Sequence, residues 1–357
     1  MSNYVMQREE GWFDETFRGR ELDRMRDFLA RLDKVIDWDV FLPELEAILH
    51  HEPAGPGGRT PYHPVLKFKM LVLGKLYCLS DEQLEYQSMD RRSFSRFLGL
   101  SAADPVPDAN TIREFRDKLG PTGVLRLFER FSLLLEVEGM TAKEGHIIDA
   151  TFVDVPRQRN SRGENNDIKE GRLPEGWEED PKRLAHKDIQ ARWARKGEET
   201  HFGYKDHVKV GEATKFIKEY IVTDASVHDS QPMPKLVEQG DISIKADSAY
   251  VGSRCAEALA AKAVKNEVME KAVRGRGLSK EQQAENRKKS KVRVRVEHVF
   301  GFMTMTMRSL YQRCVGGVRN ETGIGLTNLV YNLCRYEQIK RLGLNKWGRW
   351  EARAASV

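Results

Sequence analysis

Cysteine is scarce and scattered: Cys78, Cys255, Cys314 and Cys334 are the only four in 357 residues, and no two form a C-x-x-C pair. That spacing excludes a zinc ribbon and offers no disulfide framework, so all four are expected as reduced core thiols. No stretch approaches the roughly 18 uninterrupted apolar residues of a membrane span. The opening residues, MSNYVMQREEGWFDETF, place acids where a secretory leader needs an apolar run, and a cytoplasmic protein without a membrane partner is expected. Phosphate-binding glycine loops are missing too. The RGRG run at 274–277 lacks the strand-and-helix setting such a loop requires, and no Ser-His-Asp arrangement declares itself by spacing, so no small-molecule substrate is expected.

What is there is a globular composition rich in surface charge, 40% apolar and 32% charged. The net charge of +5 and a pI near 8.9 permit a polyanionic partner without requiring one. Residues 1–140 read as helical segments separated by turns. Met25, Phe28, Leu29 and Leu32 fall at helical spacing within 22–36, and a second segment follows over 38–49. A loop rich in Pro and Gly, 52–64, interrupts the pattern before helical spacing resumes over 65–79. Ser80 is placed to cap the segment beginning DEQLEYQ. Asp108 is placed to cap PDANTIREFRDKLG, which leads into a long apolar helix over 122–138. The short segment RRSFSRFLGL, with Arg91, Arg92 and Arg96, completes a three-helix group that suits either a helix-turn-helix DNA-binding unit or a plain bundle.

After Gly139 the texture changes. HIIDATFVDVP, 146–156, is β-branched and apolar on both faces, the habit of a strand buried on two sides. YKDHVKV, KFIKEYIVTDASV and ISIKADSAYVG are further strand candidates, with a helix over 232–238 between the last two. A helix over 253–263, the strand candidate KNEVMEKAV and helices over 279–342 follow. Three strands, helix, strand, helix, strand, helix is the order of a ribonuclease-H-like α/β fold. It implies a mixed five-stranded sheet flanked by helices over 141–342, behind an all-α N-terminal domain at 1–140 and before a tail at 343–357. Residues 157–200 are polar, with many charges of both signs, and are expected as a long surface insertion without a core of its own. Residues 274–295 differ: Arg274, Arg276, Lys280, Arg287, Lys288, Lys289, Lys291, Arg293 and Arg295 face only Glu281 and Glu285, an excess greater than that of the whole chain.

Acidic triads are cheap to find among 54 acidic residues, so position decides. Asp149 interrupts an otherwise apolar strand, where a lone carboxylate costs several kcal/mol unless a cation or hydrogen bonds compensate. A metal ion is one such cation; backbone donors or a nearby Arg would serve a purely structural Asp. Asp154 lies on the same strand, but the odd spacing sends it to the opposite face. Asp247 ends ISIKAD, where open α/β sheets present functional groups, and Asp224 in YIVTDAS competes with it. Glu297 sits in a helical stretch whose buried side is marked by Val296, Val299, Phe300, Met303 and Met307. Arg293, one turn earlier, can reach the same place or simply pair with it in solvent. Lys205, His228, Asp229 and His298 are supporting candidates; for His228 and Asp229 a capped turn is the plainer reading. Trp177 and Trp193 suit either local packing or stacking on an unpaired base.

HIIDATFVDVP, HFGYKDHVKV, VTDASVHDSQ, IKADSAYVGS and RVRVEHVFGFMT, in that order, resemble the DDE transposases of bacterial insertion sequences, in the group named after insertion sequence five within the insertion-sequence-four-like superfamily. TPYHPVLKFKMLVLGKLYCLSDEQLEYQ and PDANTIREFRDKL resemble that group's N-terminal domain. The resemblance implies that Asp149, Asp247 and Glu297 are the catalytic, metal-holding acids, with two Mg²⁺ ions that Mn²⁺ can replace, and it prefers Asp247 to Asp224. It implies double-stranded DNA as partner, both transposon ends and target, a homo-oligomer (a dimer) and residence on the nucleoid when bound. Arg274, Arg276, Arg287, Lys288, Lys289, Lys291, Arg293 and Arg295 would then meet phosphates. A superfamily signature of Tyr, Arg, Glu and Lys around the third acid is matched at Arg293 and Glu297, whereas Ser290 and Thr304 hold the tyrosine and lysine positions. A DNA-binding regulator derived from a transposase, and a metal-dependent nuclease of the same fold, are the alternatives.

Overall fold

The computed structural model describes residues 14–25, 27–49, 60–140, 144–272, 275 and 277–344. Most of the expected 52–64 loop, Arg274, Arg276 and the tail from 345 onward lie outside the described residues.

The N-terminal part is helical. Its members are α1 (Asp14–Arg24), α2 (Phe28–Val35), a short 3₁₀ turn (Trp38–Phe41), α3 (Leu42–Leu49), α4 (Pro64–Leu76), α5 (Asp81–Asp90), α6 (Arg92–Leu98) and α7 (Ala109–Val137). The segment expected as one helix over 22–36 is two, because Asp27 turns its carboxylate back onto the Leu29 N–H and starts α2 afresh. Ser80 and Asp108 cap α5 and α7 as their positions in the sequence predict. Within α7, Gly120 adopts φ 54° and ψ −174° ahead of Pro121, so the helix kinks at the join between its two expected halves.

The second part holds β1 (His146–Asp154), α8 (Arg162–Lys169), α9 (Pro181–Ala185), β2 (Arg192–Lys196), β3 (Glu199–Gly211), β4 (Ile217–Asp224), α10 (Met233–Leu236), β5 (Ser243–Lys245), α11 (Ser253–Ala261), β6 (Lys265–Asn266), α12 (Lys280–Met305) and α13 (Gly317–Leu342). β4, β3, β1, β5 and β6 lie side by side in that order, antiparallel through β1 and parallel beyond it. These are the five expected strands in the expected fold. A sixth, β2, comes from the polar insertion and pairs with the leading half of β3. The insertion is more ordered than its composition predicts: Trp177 is fully buried, donates to Glu164 and lies beneath Arg183 and Lys187. One aromatic ring and a ring of charges thus replace the missing apolar core. Local packing is therefore the reading that holds for Trp177, while Trp193 rests on Phe202 with Arg157 over its ring and remains 44% exposed.

One continuous apolar cluster joins α2 to α7 with β1, β3, α12 and α13. α13 runs through its middle and carries a seam of buried amides. Asn332 both accepts from the Ile217 N–H and donates to its carbonyl, Asn328 donates to Asp206, and Asn320 donates to Asp188. Since an unmet polar group in such a place costs about 1–3 kcal/mol, the seam fixes the register of α13 on the sheet where apolar contact alone would let it slide.

Asp206 is the extreme member. It is wholly buried, its Oδ2 has no partner among the described residues, and desolvation lifts its pKa to about 7 despite the Asn328 hydrogen bond. The folded carboxyl holds its proton more tightly than the unfolded one, so its favourable contribution is complete below about pH 4 and is lost as pH rises through 7. Asp206→Asn keeps the shape and removes the charge. Its stability advantage over wild type in urea is expected to grow from near zero at pH 4 to on the order of 4 kcal/mol by pH 8; a difference independent of pH would refute the assignment.

Candidate active site

β1 and β5 are parallel neighbours with His146 opposite Ile244 and Ile147 opposite Lys245. Two residues beyond that last pair stand Asp149, still within β1, and Asp247, just past the end of β5, near enough for the charge of Asp247 to act on Asp149. Asp247 follows β5 and bends its Oδ1 onto the Ala249 N–H at 2.7 Å, starting the 3₁₀ turn Ser248–Tyr250. Asp149 Oδ1 accepts from the Ala150 N–H at 2.9 Å. Its neighbours Ile147 and Ile148 enter separate apolar clusters on opposite faces, which is the alternation that separates Asp149 from Asp154. Asp154 turns instead to His201. Asp224, the rival of Asp247, is occupied by a turn, accepting from the Ser226 N–H at 2.9 Å.

The third acid arrives on α12. Val296, Val299 and Met303 hold this helix against the core, and Asn286 grips the backbone of Glu270 from both sides. Arg293 and Glu297, one turn apart, are thereby aimed at β1. Arg293 Nη1 donates to Asp149 Oδ2 at 2.7 Å and Nη2 to Glu297 Oε1 at 3.0 Å, so a single guanidinium bridges the two acids. Asp149 and Arg293 are 15% and 22% exposed in their side chains and Glu297 is 53% exposed, so the bridge runs from the interior to solvent.

Burial raises the Asp149 pKa to about 6; the Ala150 N–H and Arg293 pull it down, and the neighbouring charge of Asp247 pushes it up. Tyr250 lies beside the same acids. Its hydroxyl is buried without a hydrogen-bond partner among the described residues, and desolvation together with Asp149, Asp229 and Asp247 holds it protonated far above the ordinary phenol range. Arg293 Nε is likewise buried and unpartnered among the described residues. Among the described residues no three His, Cys, Asp or Glu side chains are gathered into a ready metal cage. The donors nevertheless suit a hard divalent cation. They are all carboxylate oxygens, one of them desolvated and already drawing in positive charge, and two polar atoms beside them lack partners that bound water would supply.

The supporting candidates divide. Lys205 donates to the Val227 carbonyl and to Asp229, both at 2.7 Å, and holds the chain after β4 against the sheet. His228 Nδ1 meets Ser230 Oγ at 2.8 Å in a capped turn. His298 faces Lys215, away from the acids. Of the basic run, Arg287, Lys288 and Lys291 are exposed, whereas Lys289 and Arg295 donate to the carbonyls of Val268 and Glu212. Two residues near the acids escaped the sequence reading. Tyr250 had a signal, lying within the SAYVG that follows Asp247; Lys196, whose charge also acts on Asp149, had none, because it belongs to the insertion.

A sheet in this order, with one acid on β1, one just past the end of its parallel neighbour β5 and a third on the helix beyond, defines a ribonuclease-H-like catalytic domain. The transposase DDE domain family matches residues 141–333, more than half of the chain, and the transposase domain (DUF772) family matches residues 18–118. The chain belongs to the DDE transposases, enzymes that cleave DNA and transfer its strands and that depend on divalent metal ions. No solved structure matches it. No helix among the described residues is long and apolar enough to cross a membrane.

Removing the bridge should expose what it balances. Arg293→Ala takes from buried Asp149 the counter-charge hydrogen-bonded to it, beside Asp247, and in metal-free buffer it is expected to lose about 2–4 kcal/mol of stability at pH 7. The loss should fade toward pH 4, where Asp149 is protonated in either protein. Equal urea midpoints at pH 7 would contradict the ion pair.

Proposed function

We propose that this transposase binds the terminal inverted repeats of an insertion element of the insertion-sequence-five group, hydrolyses the phosphodiester at each end, and joins the freed 3′-hydroxyls to target DNA. Asp149, Asp247 and Glu297 are its metal-holding acids. The reading rests on one observation above others: Asp149 on β1 and Asp247 just past its parallel neighbour β5 come together while Glu297 is tied to Asp149 through Arg293. Mg²⁺, replaceable by Mn²⁺ and bound as a pair, would supply Lewis acidity to the phosphate and lower the pKa of the attacking water or hydroxyl. The protein's own share is positional. The backbone N–H groups of Ala150 and Ala249 orient two carboxylates, and Tyr250 lends an un-ionised hydroxyl as a donor beside them.

Arg287, Lys288 and Lys291 are the cations exposed on α12 on the approach to Arg293 and placed to meet phosphates, Lys288 by exchanging its pair with Glu285. The division of labour is a helical DNA-binding and oligomerisation part over 1–140 and a catalytic part over 141–342, acting as a dimer because two ends must be brought together. The separate family matches over 18–118 and 141–333 support it. A DNA-binding regulator that no longer cuts is the second reading; the observation in its favour is that Arg293 already satisfies both Asp149 and Glu297 without metal.

The test supplies inverted-repeat duplex with Mg²⁺ or Mn²⁺ to wild type, Asp149→Ala and Glu297→Gln. Both variants are expected to lose about 100-fold or more in cleavage while still binding. Cleavage surviving in both sinks the assignment, and binding without cleavage by wild type favours the regulator. Replacing Arg287, Lys288 and Lys291 together by Ala should flatten the dependence of binding on salt, reducing the slope of log K against log salt by about 2–3. An unchanged slope would move the DNA path off this helix.

A further inference from the structure

On the flank of α12 turned away from the acids lies a second basic cleft. At the helical period Arg293 and Glu297 share one flank of α12, His298 and Phe302 the opposite one, and Val296, Val299 and Met303 face the core. Lys291 stands two turns before His298 and Arg287 three, so these exposed cations run along the same flank toward the cleft. The cleft encloses about 280 Å³ between α2, α12, α13 and the turn from β3 to β4.

Its walls are cationic and the acids near it are engaged. Arg31, Lys215, Arg335 and Arg341 line it with a single carboxylate, Glu337, which is buried and takes both Arg31 at 2.9 Å and Arg341 at 3.1 Å. Lys215 Nζ meets His298 Nδ1 at 2.9 Å, and Arg335 Nε donates to the Thr214 carbonyl at 2.8 Å; neither cation pairs with a carboxylate among the described residues. Glu144 is occupied by the N–H and hydroxyl of Thr214, and Glu212 by Lys245. Burial and the like charges of Arg335 and Arg295 accordingly lower the Lys215 pKa from the ordinary ammonium range. Lys215 is moreover held at φ 60°, the left-handed conformation that suits glycine and strains a lysine. Its N–H donates to the Gly211 carbonyl and its own carbonyl accepts from the Tyr331 hydroxyl, both at 2.9 Å, so the conformation is locked. A turn that accepts strain to aim an ammonium among cations points to an anion supplied from outside.

We propose that this cleft seats a backbone phosphate of the DNA between Lys215, His298 and Arg335, a few nucleotides from the phosphate being cut. A helix is about 10–12 Å across with its side chains and a strand advances about 3.4 Å per nucleotide, so a strand leaving the acids crosses α12 in about three. Glu297 and His298, consecutive and both exposed, mark the crossing. The row from Arg287 through Lys291 into the cleft suits a chain of phosphates rather than one free anion. The distance from the cut rests on the catalytic reading of Asp149, Asp247 and Glu297, whereas the cleft's affinity for phosphate does not.

The test measures binding of the full chain to inverted-repeat duplex in EDTA, where no cutting is required. K215G removes the ammonium and suits the turn, so its melting temperature is expected to equal or exceed that of wild type. Its affinity is expected to fall about 10-fold and its slope of log K against log salt to drop by about 1, with K215R restoring both. Wild-type affinity and slope in K215G overturn the proposal, as does a loss that K215R fails to restore or that accompanies a lower melting temperature. Replacing single phosphates by uncharged methylphosphonates should weaken wild-type binding at a position about three nucleotides from the cut and weaken K215G no further there. Equal losses in both proteins at every position overturn it. If these binding results hold and wild type never cuts with Mg²⁺ or Mn²⁺, the cleft stands and the catalytic reading falls. If wild type cuts and K215G binds as wild type does, the acids stand and the cleft is removed.

Discussion

The rest of this structure answers to one carboxylate. Asp149 sits in a strand whose immediate neighbours enter the core on both faces, and burial alone would keep it protonated near neutrality. A protonated acid is useless for holding cations, so positive charge has to be brought to it. α12 does this with Arg293, and family membership adds a dependence on divalent ions. The fold is thus an arrangement for delivering several cations to one buried anion, and that demand explains why a mildly basic chain concentrates its excess charge just ahead of Glu297.

Delivery requires that α12 not slide. Its apolar contacts leave rotation and translation loosely set, since Val296, Val299 and Met303 would fill neighbouring grooves almost as well one turn away. Polar ties remove that freedom. Asn286 fixes one end to Glu270, and the amides of α13 fix the central helix to β3, β4 and the insertion. Because α13 is also packed against α2, α4 and α7 through the shared core, the N-terminal helices bear on the placement of the acids although none supplies one.

The element order, the caps at Ser80 and Asp108 and the five main strands were legible in the sequence because each follows from local periodicity and side-chain chemistry. Asp149 was legible for the same reason: a charge in an apolar strand is a local anomaly. Asp247 and Asp224 could not be separated locally, as both end strands. What distinguishes them is the parallel pairing of β5 with β1, a long-range fact. Glu297 resembled any helix ion pair because the partner that distinguishes it, Asp149, is 148 residues away along the chain. The insertion misled for a different reason. Its composition is too polar for a core, but cation–π contacts around Trp177 and pairing of β2 with β3 order it without one.

Placing Arg293 and Glu297 on consecutive turns of one helix has a consequence that neither residue has alone. Were these acids to hold a divalent ion, the guanidinium would have to leave them, and with its helix fixed by Asn286 and the core it would move only by turning about its own side-chain bonds. The unpartnered Nε shows that the present bridge does not use the full donor capacity of the guanidinium, which lowers the cost of leaving it. In this geometry Arg293 supplies positive charge to both acids, and the i, i+4 spacing keeps it and Glu297 on one side of one fixed helix.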